Sequence, residues 1–215
     1  MRRRSTSPSG SSGKVRIIAG QWRGSRLEVP DAAGLRPSSD RVRETLFNWL
    51  QAEIGGARCL DLFAGSGALG FEAASRGAAQ VVMIERDAAA VASLRATARR
   101  LDAGQVEIVA ADALAWLAGP VSAQFDIVFV DPPFAAALWQ PVLDALPRWL
   151  APRAWLYLES ARDAPPLQID GFVPHREGST RDVRFCLLRR VMDASQGSAP
   201  ATLESFTGGE PAASP

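Results

Sequence analysis

Two cysteines and one histidine in 215 residues leave little from which to build a metal centre or a hydrolytic site. Cys59 and Cys186 stand far apart, with no neighbouring His or Cys at metal-ligand spacing. Neither a disulfide framework nor a zinc site is indicated, and both read as core thiols. His175 falls late in the chain, and no activated nucleophile accompanies it at useful spacing. Long hydrophobic runs are also missing: no apolar stretch approaches the roughly 18 residues that span a bilayer. Met1 to Lys14 carries arginine and serine rather than the apolar segment of an export signal. The expectation is a cytoplasmic protein with neither metal nor membrane.

A hydrophobic content of 47% supports one main domain with a substantial core. The net charge of +1 hides an asymmetry, because residues 1–43 carry ten Lys or Arg against three acids, while residues 44–215 carry 14 against 20. A front of that kind points to a polyanionic partner. Residues 1–14 and 191–215 are rich in Ser, Gly, Pro and Ala without apolar periodicity, and are expected to be disordered tails. Between them, residues 15–55 read as a small hairpin followed by a helix, with Arg36 to Asp40 supplying cap residues.

Residues 56–190 follow a strand and helix rhythm. Strands are expected at Ala57 to Phe63, Gln80 to Glu85, Val106 to Val109, Phe125 to Val130 and Ala154 to Glu159. Helices are expected near Ala68 to Arg76, Ala88 to Leu101, Ala113 to Leu117 and Leu138 to Leu150, with a closing hairpin over Phe172 to Arg190. Apolar strands alternating with helices imply an α/β fold, a doubly wound and mostly parallel sheet, to which the hairpin adds antiparallel edge strands.

Chemistry gathers at the strand ends. Asp61 to Gly70 reads as strand, glycine turn and helix start, and contains G-x-G-x-x-G from Gly65 to Gly70. Such a turn allows close backbone approach by a nucleotide-like cofactor, which fits a dinucleotide or S-adenosylmethionine (SAM). Glu85 ends the next strand about 20 residues beyond the first glycine, where ribose hydroxyls are held. Asp112 follows the third strand, placed to accept from an adenine amine or to cap a helix.

The fourth strand separates these cofactors, because Asp131-Pro132-Pro133-Phe134 follows it directly. Two consecutive prolines fix φ and remove two N–H donors, which holds the turn's carbonyls outward. Asp131 and the Pro132 carbonyl can then accept both hydrogens of a planar NH2 group, while Phe134 offers a face for the ring. A nicotinamide enzyme has no evident use for this turn, whereas methyl transfer to an amine does.

Taken with Arg16 to Gly24 and Leu35 to Leu50, these motifs are those of a known group. The chain resembles the RsmD family, SAM-dependent methyltransferases of bacterial 16S ribosomal RNA that modify the N2 amine of one guanine. The resemblance spans roughly Val15 to Arg190 and implies a class I SAM-dependent methyltransferase (Rossmann-like) fold, with residues 56–190 as its methyltransferase domain. It implies that Asp61, Phe63, Gly65, Ser66, Gly67, Glu85, Asp112 and Ala113 bind SAM, and that Asp131, Pro132, Pro133 and Phe134 hold guanine for catalysis. Arg16, Arg23, Arg26, Arg36, Arg41 and Arg43 become candidate phosphate contacts within the RNA-contacting segment 15–55. The implied partner is 16S rRNA in the small ribosomal subunit or an assembly intermediate, met by a monomer. Trp22 and Trp49 are further candidates for stacking on bases, although Trp49 shares a helical face with Leu46 and Val42 and suits the core better. Competing readings are a DNA or protein amide methyltransferase sharing the amine-holding turn, a non-catalytic ribosome assembly factor, and a dehydrogenase read from the glycine turn alone.

Overall fold

A computed structural model describes residues 15–28, 39–132, 138–164 and 169–191. The chain opens with β1 (Val15–Arg16) and β2 (Arg26–Leu27), a two-residue antiparallel pair, and then α1 (Asp40–Trp49). The main body runs β3 (Arg58–Asp61), α2 (Ala68–Ser75), β4 (Gln80–Glu85), α3 (Ala88–Leu101), β5 (Val106–Ala110), α4 (Ala113–Leu117) and β6 (Phe125–Val130). It continues with α5 (Trp139–Ala145), a 3₁₀ turn at Leu146–Trp149, β7 (Leu150–Ala161), β8 (Phe172–Ser179) and β9 (Val183–Arg190).

The sheet order is β5-β4-β3-β6-β7-β9-β8. The first five strands are parallel, and β9 and β8 close the edge antiparallel, as the alternating pattern predicts. Strand order reverses at β3, whose two neighbours are β4 and β6. In open sheets of this kind ligands bind beyond the strand carboxyl ends at such a reversal. Here that point lies between the glycine turn after β3 and Asp131 after β6.

Strand alternation divides the core into two layers. Cys59, Met83, Phe129 and Tyr157 face Phe47 of α1, Phe71 of α2 and Leu94 of α3. Leu60, Val82, Val128 and Leu156 face Leu117 of α4, Val142 of α5 and Trp149. Caps fix the helix starts: Ser39 Oγ accepts from Val42 N–H at 3.3 Å, and Asp87 Oδ1 from Ala90 N–H at 2.8 Å.

The expected helix over Leu138 to Leu150 is shorter than its pattern suggested. The α-helix ends at Ala145 and tightens to 3₁₀ around Pro147, which has no N–H to continue the ladder. β7 begins at Leu150 instead of Ala154, and Arg190 Nη1 donates to the Leu150 carbonyl at 2.6 Å. Of the tails expected at 1–14 and 191–215, all but Val191 lies outside the described residues.

Candidate active site

β3 delivers Asp61 to the carboxyl edge, and the chain then turns through Gly65 and Gly67, both left-handed with φ of 51° and 77°. At Gly67 the need is steric as well. A Cβ there would fall 2.6 Å from Phe71 Cδ2 and from Leu94 Cδ2, so only glycine lets α2 start this close to α3.

The turn is stitched to its neighbours. Leu62 N–H donates to Phe129 O at 3.2 Å and Ala64 N–H to Ile84 O at 3.0 Å, which ties it to β6 and β4. Asp61 Oδ2 accepts from Gly70 N–H at 3.1 Å, in the first turn of α2. Burial pushes the Asp61 carboxyl up to about 7, against the lowering effect of N–H donors from Gly70 and Phe63, with the Glu85 charge adding to the rise.

Glu85 is held by three backbone donors. Its Oε2 accepts from Gly65 N–H at 2.8 Å, and its Oε1 from Arg86 and Asp87 N–H, each at 2.8 Å. The carboxylate at the end of β4 therefore orients the glycine turn directly. Asp112 caps α4 through one oxygen, Oδ1, which accepts from Leu114 and Ala115 N–H at 3.0 and 3.1 Å. Ala113 and Ser66 are buried and Phe63 is half-buried.

Asp131 follows β6 half-buried, and Pro132 is buried behind it. Pro133 and Phe134 lie outside the described residues, as does Arg36. Asp112, Glu85, Gly65 and Asp131 thus stand at the ends of β5, β4, β3 and β6, four adjacent parallel strands, along one edge of the sheet. A cavity of about 310 Å³ beside Asp112 is lined by Arg86, Val91, Arg95, Ala110 and Ala111. It sits against α3 and does not reach the glycine turn or Asp131.

Among the expected RNA contacts, Arg16, Arg23, Arg26 and Arg41 are exposed. Arg43 is not: it is fully buried in α1, donating from Nη2 to Asp40 Oδ1 at 2.7 Å and to the Arg16 carbonyl at 2.8 Å. Its Nη1 lies 3.7 Å from Glu72 Oε2. Arg43 is an internal tie and cannot reach a phosphate. Trp22 is likewise buried and closed to a base, and Trp49, half-buried, stacks one ring face on Phe185 with centroids 5.4 Å apart, in keeping with a core role. His175 packs edge-on against Trp155, and no group of acids, histidines and cysteines suited to a metal occurs among the described residues.

Two buried polar clusters escaped the sequence reading. Glu72, fully buried in the middle of α2, accepts from Ile18 N–H at 2.7 Å, Ala19 N–H at 3.0 Å and Arg76 Nε at 2.7 Å. Tyr157, fully buried on β7, donates to Glu159 Oε2 at 2.7 Å, next to the Asp131 strand. A lone acid inside an apolar helix and another inside the apolar end of β7 were the available signals.

A parallel sheet reversing at a glycine turn, with acids closing the neighbouring strands and Asp-Pro at the fourth, defines a class I SAM-dependent methyltransferase fold. Within that class the chain belongs to the family described as Conserved hypothetical protein 95, whose model matches residues 15–189. It is 45% identical over 193 residues to ribosomal RNA small subunit methyltransferase D of Escherichia coli strain K12, covering 88% of this chain and 96% of that one. The protein of the same name from Haemophilus influenzae is 41% identical over 182 residues, covering 82% of this chain and 94% of that one. Among solved structures, the putative methyltransferase yhhF from Escherichia coli superposes with a TM-score of 0.77 at 45% identity, over 84% of this chain and all of that one.

Proposed function

We propose that this methyltransferase transfers a methyl group from SAM to the exocyclic N2 amine of a single guanine in 16S rRNA of the small ribosomal subunit. The observation that carries the reading is the adjacency of the two turns. β3 and β6 pair in register at Asp61 and Phe129, and Leu62 N–H bonds Phe129 O, so the glycine turn and Asp131 leave neighbouring strands side by side. The names of the relatives supply the substrate class, ribosomal RNA of the small subunit.

The residues present fit SAM. Glu85 is fixed by three N–H donors, and an ionised carboxylate has about four acceptor positions, which leaves it able to take a ribose hydroxyl. Asp112 engages α4 through one oxygen only, which suits the second to an adenine amine. Gly65 and Gly67, with Asp61 beneath them, form the backbone cradle for the methionine end, flanked by Phe63 and Ser66, while Ala113 follows Asp112 at the adenine end. SAM supplies a methyl group already activated on a sulfonium, so the protein's task is alignment and exclusion of water.

Asp131 and the Pro132 carbonyl accept the two N–H bonds of the amine, which draws its lone pair out of conjugation with the ring and toward the methyl group. Nitrogen would attack the methyl while still carrying both hydrogens, the sulfonium leaving as the neutral thioether, and Asp131 would take one proton afterwards, so it need not be a strong base. Exposed Arg16, Arg23, Arg26 and Arg41 act on phosphates, supplying affinity and register, while the guanine enters unpaired or flipped. Incubation with labelled SAM and small subunits lacking the modification is expected to label one guanine. Label confined to protein or DNA would reject the proposal.

A further inference from the structure

We propose that Glu159 determines the choice of base, accepting the N1–H of the target guanine, and that Tyr157 is the positioning residue that fixes its carboxylate. The assignment rests on the function proposed above and adds to it the group that distinguishes guanine from other amine-bearing bases.

Geometry places Glu159 beside the amine-holding turn. β6 and β7 are parallel, with Val128 opposite Leu156 and Val130 opposite Leu158. Asp131 and Glu159 are the next residues on each strand. Alternation puts both on the sheet face that carries Phe129 and Tyr157, with strand axes about 4.8 Å apart. Glutamate is one methylene longer than aspartate, so from the neighbouring strand it spans the lateral gap to the same ring edge.

Glu159 is also built for a fixed role. Only 4% of it is exposed, and a buried carboxylate is costly without hydrogen-bond donors. Tyr157, itself fully buried, donates to Oε2 at 2.7 Å. That bond fixes one oxygen of the carboxylate. Burial, together with the charges of Glu159 and Asp131, holds the Tyr157 phenol well above its ordinary range, so it stays protonated and remains a donor. Asp131 therefore lies close enough for its field to reach the same hydroxyl.

The chemistry then selects one base. Adenine and cytosine each carry a ring-nitrogen lone pair beside the exocyclic amine, which a carboxylate repels. Guanine carries N1–H beside N2, which a carboxylate accepts. An Asp-Pro turn grips any of the three amines, and Glu159 is the group next to it that discriminates. Sites that hydrogen-bond a substrate N–H strongly reject analogues lacking it, because the buried partner is left unpaired.

The test uses the full-length protein with small subunits reconstituted either with guanine at the target position or with 2,6-diaminopurine, which keeps the N2 amine but has a lone pair at N1. The wild-type protein is expected to methylate guanine at least about a hundredfold faster than diaminopurine. Glu159→Leu, which has no acceptor, is expected to lose about a hundredfold on guanine, and Glu159→Gln to gain on diaminopurine, whose N1 accepts the amide N–H, with SAM affinity unchanged by calorimetry in both. Tyr157→Phe should narrow the wild-type preference by roughly tenfold. Equal wild-type rates on the two bases would overturn the assignment whether or not the variants fold. So would a Glu159→Leu protein that keeps the guanine rate. Absence of wild-type transfer to guanine would instead overturn the underlying function, and this assignment with it.

Discussion

Glu72 Oε2 accepts the Ile18 N–H at 2.7 Å, so a carboxylate in the middle of α2 holds the N-terminal hairpin against the methyltransferase body. Ser75, one turn later, adds a second tie, accepting from Trp22 N–H at 2.9 Å and donating to Ala19 O at 2.6 Å. The basic segment is thereby fixed relative to the edge where Asp131 stands. Glu72 also neutralises Arg76 at 2.7 Å and faces buried Arg43 at 3.7 Å.

Removing one partner from a buried charge cluster exposes the others to an apolar interior, at a cost of about 3 kcal/mol or more. Glu72→Ala is expected to lose roughly that much stability in urea melts. Amide exchange at Ile18 and Ala19 should accelerate beyond what the global loss explains. Unchanged exchange at those two amides would contradict the anchoring role.

Asp131→Ala removes one of the two acceptors for the amine. Methyl transfer is expected to fall by about a thousandfold, with SAM affinity and subunit binding kept within a few fold. Single-turnover methylation with labelled SAM, set beside calorimetry, separates chemistry from binding. A non-catalytic assembly factor would show full cellular function in this variant.

Asp61 gives a pH signature. Its carboxyl titrates near 7 in the folded chain against 3.8 ordinarily, so the folded state holds the proton more tightly than the unfolded one. The native state is favoured by this group below pH 3.8, and that advantage is lost as pH rises to about 7, above which the cost stays constant. Asp61→Asn keeps an acceptor for Gly70 N–H and removes the titration. It is expected to be more stable than the wild type at pH 8 by on the order of 2–4 kcal/mol, with the gap shrinking toward pH 5. A gap that widens on acidification would refute the assignment.

Much of this architecture was legible from residue order because strand and helix periods are local. β4, α3, α4 and β6 fall within the expected bounds, and the glycine turn sits where G-x-G-x-x-G follows an apolar strand. What was hidden depends on partners distant in the chain. Glu72 meets Ile18 across 54 positions, and nothing near Arg43 in sequence announced that α1 would bury it. Glu159 acquires meaning only when the β6 and β7 register sets it beside Asp131. Trp22 misled for the same reason, since an aromatic among arginines suits a base or a core equally until the hairpin closes over it.

The arginines test how the basic segment works. A side chain on a phosphate acts through counterion release, so its loss lowers the slope of log affinity against log salt by about one, whatever the RNA sequence. Arg23→Ala and Arg41→Ala, both exposed, are expected to weaken small-subunit binding and flatten that slope while leaving the melting temperature unchanged. Arg43→Ala should do the reverse. It vacates a buried guanidinium that holds Asp40, Arg16 and Glu72 together, so the melting temperature falls while the salt slope of the folded fraction stays as in the wild type. Filter binding across a salt series, paired with thermal melts, distinguishes the two kinds of arginine. A flattened slope for Arg43→Ala would return that residue to the RNA surface.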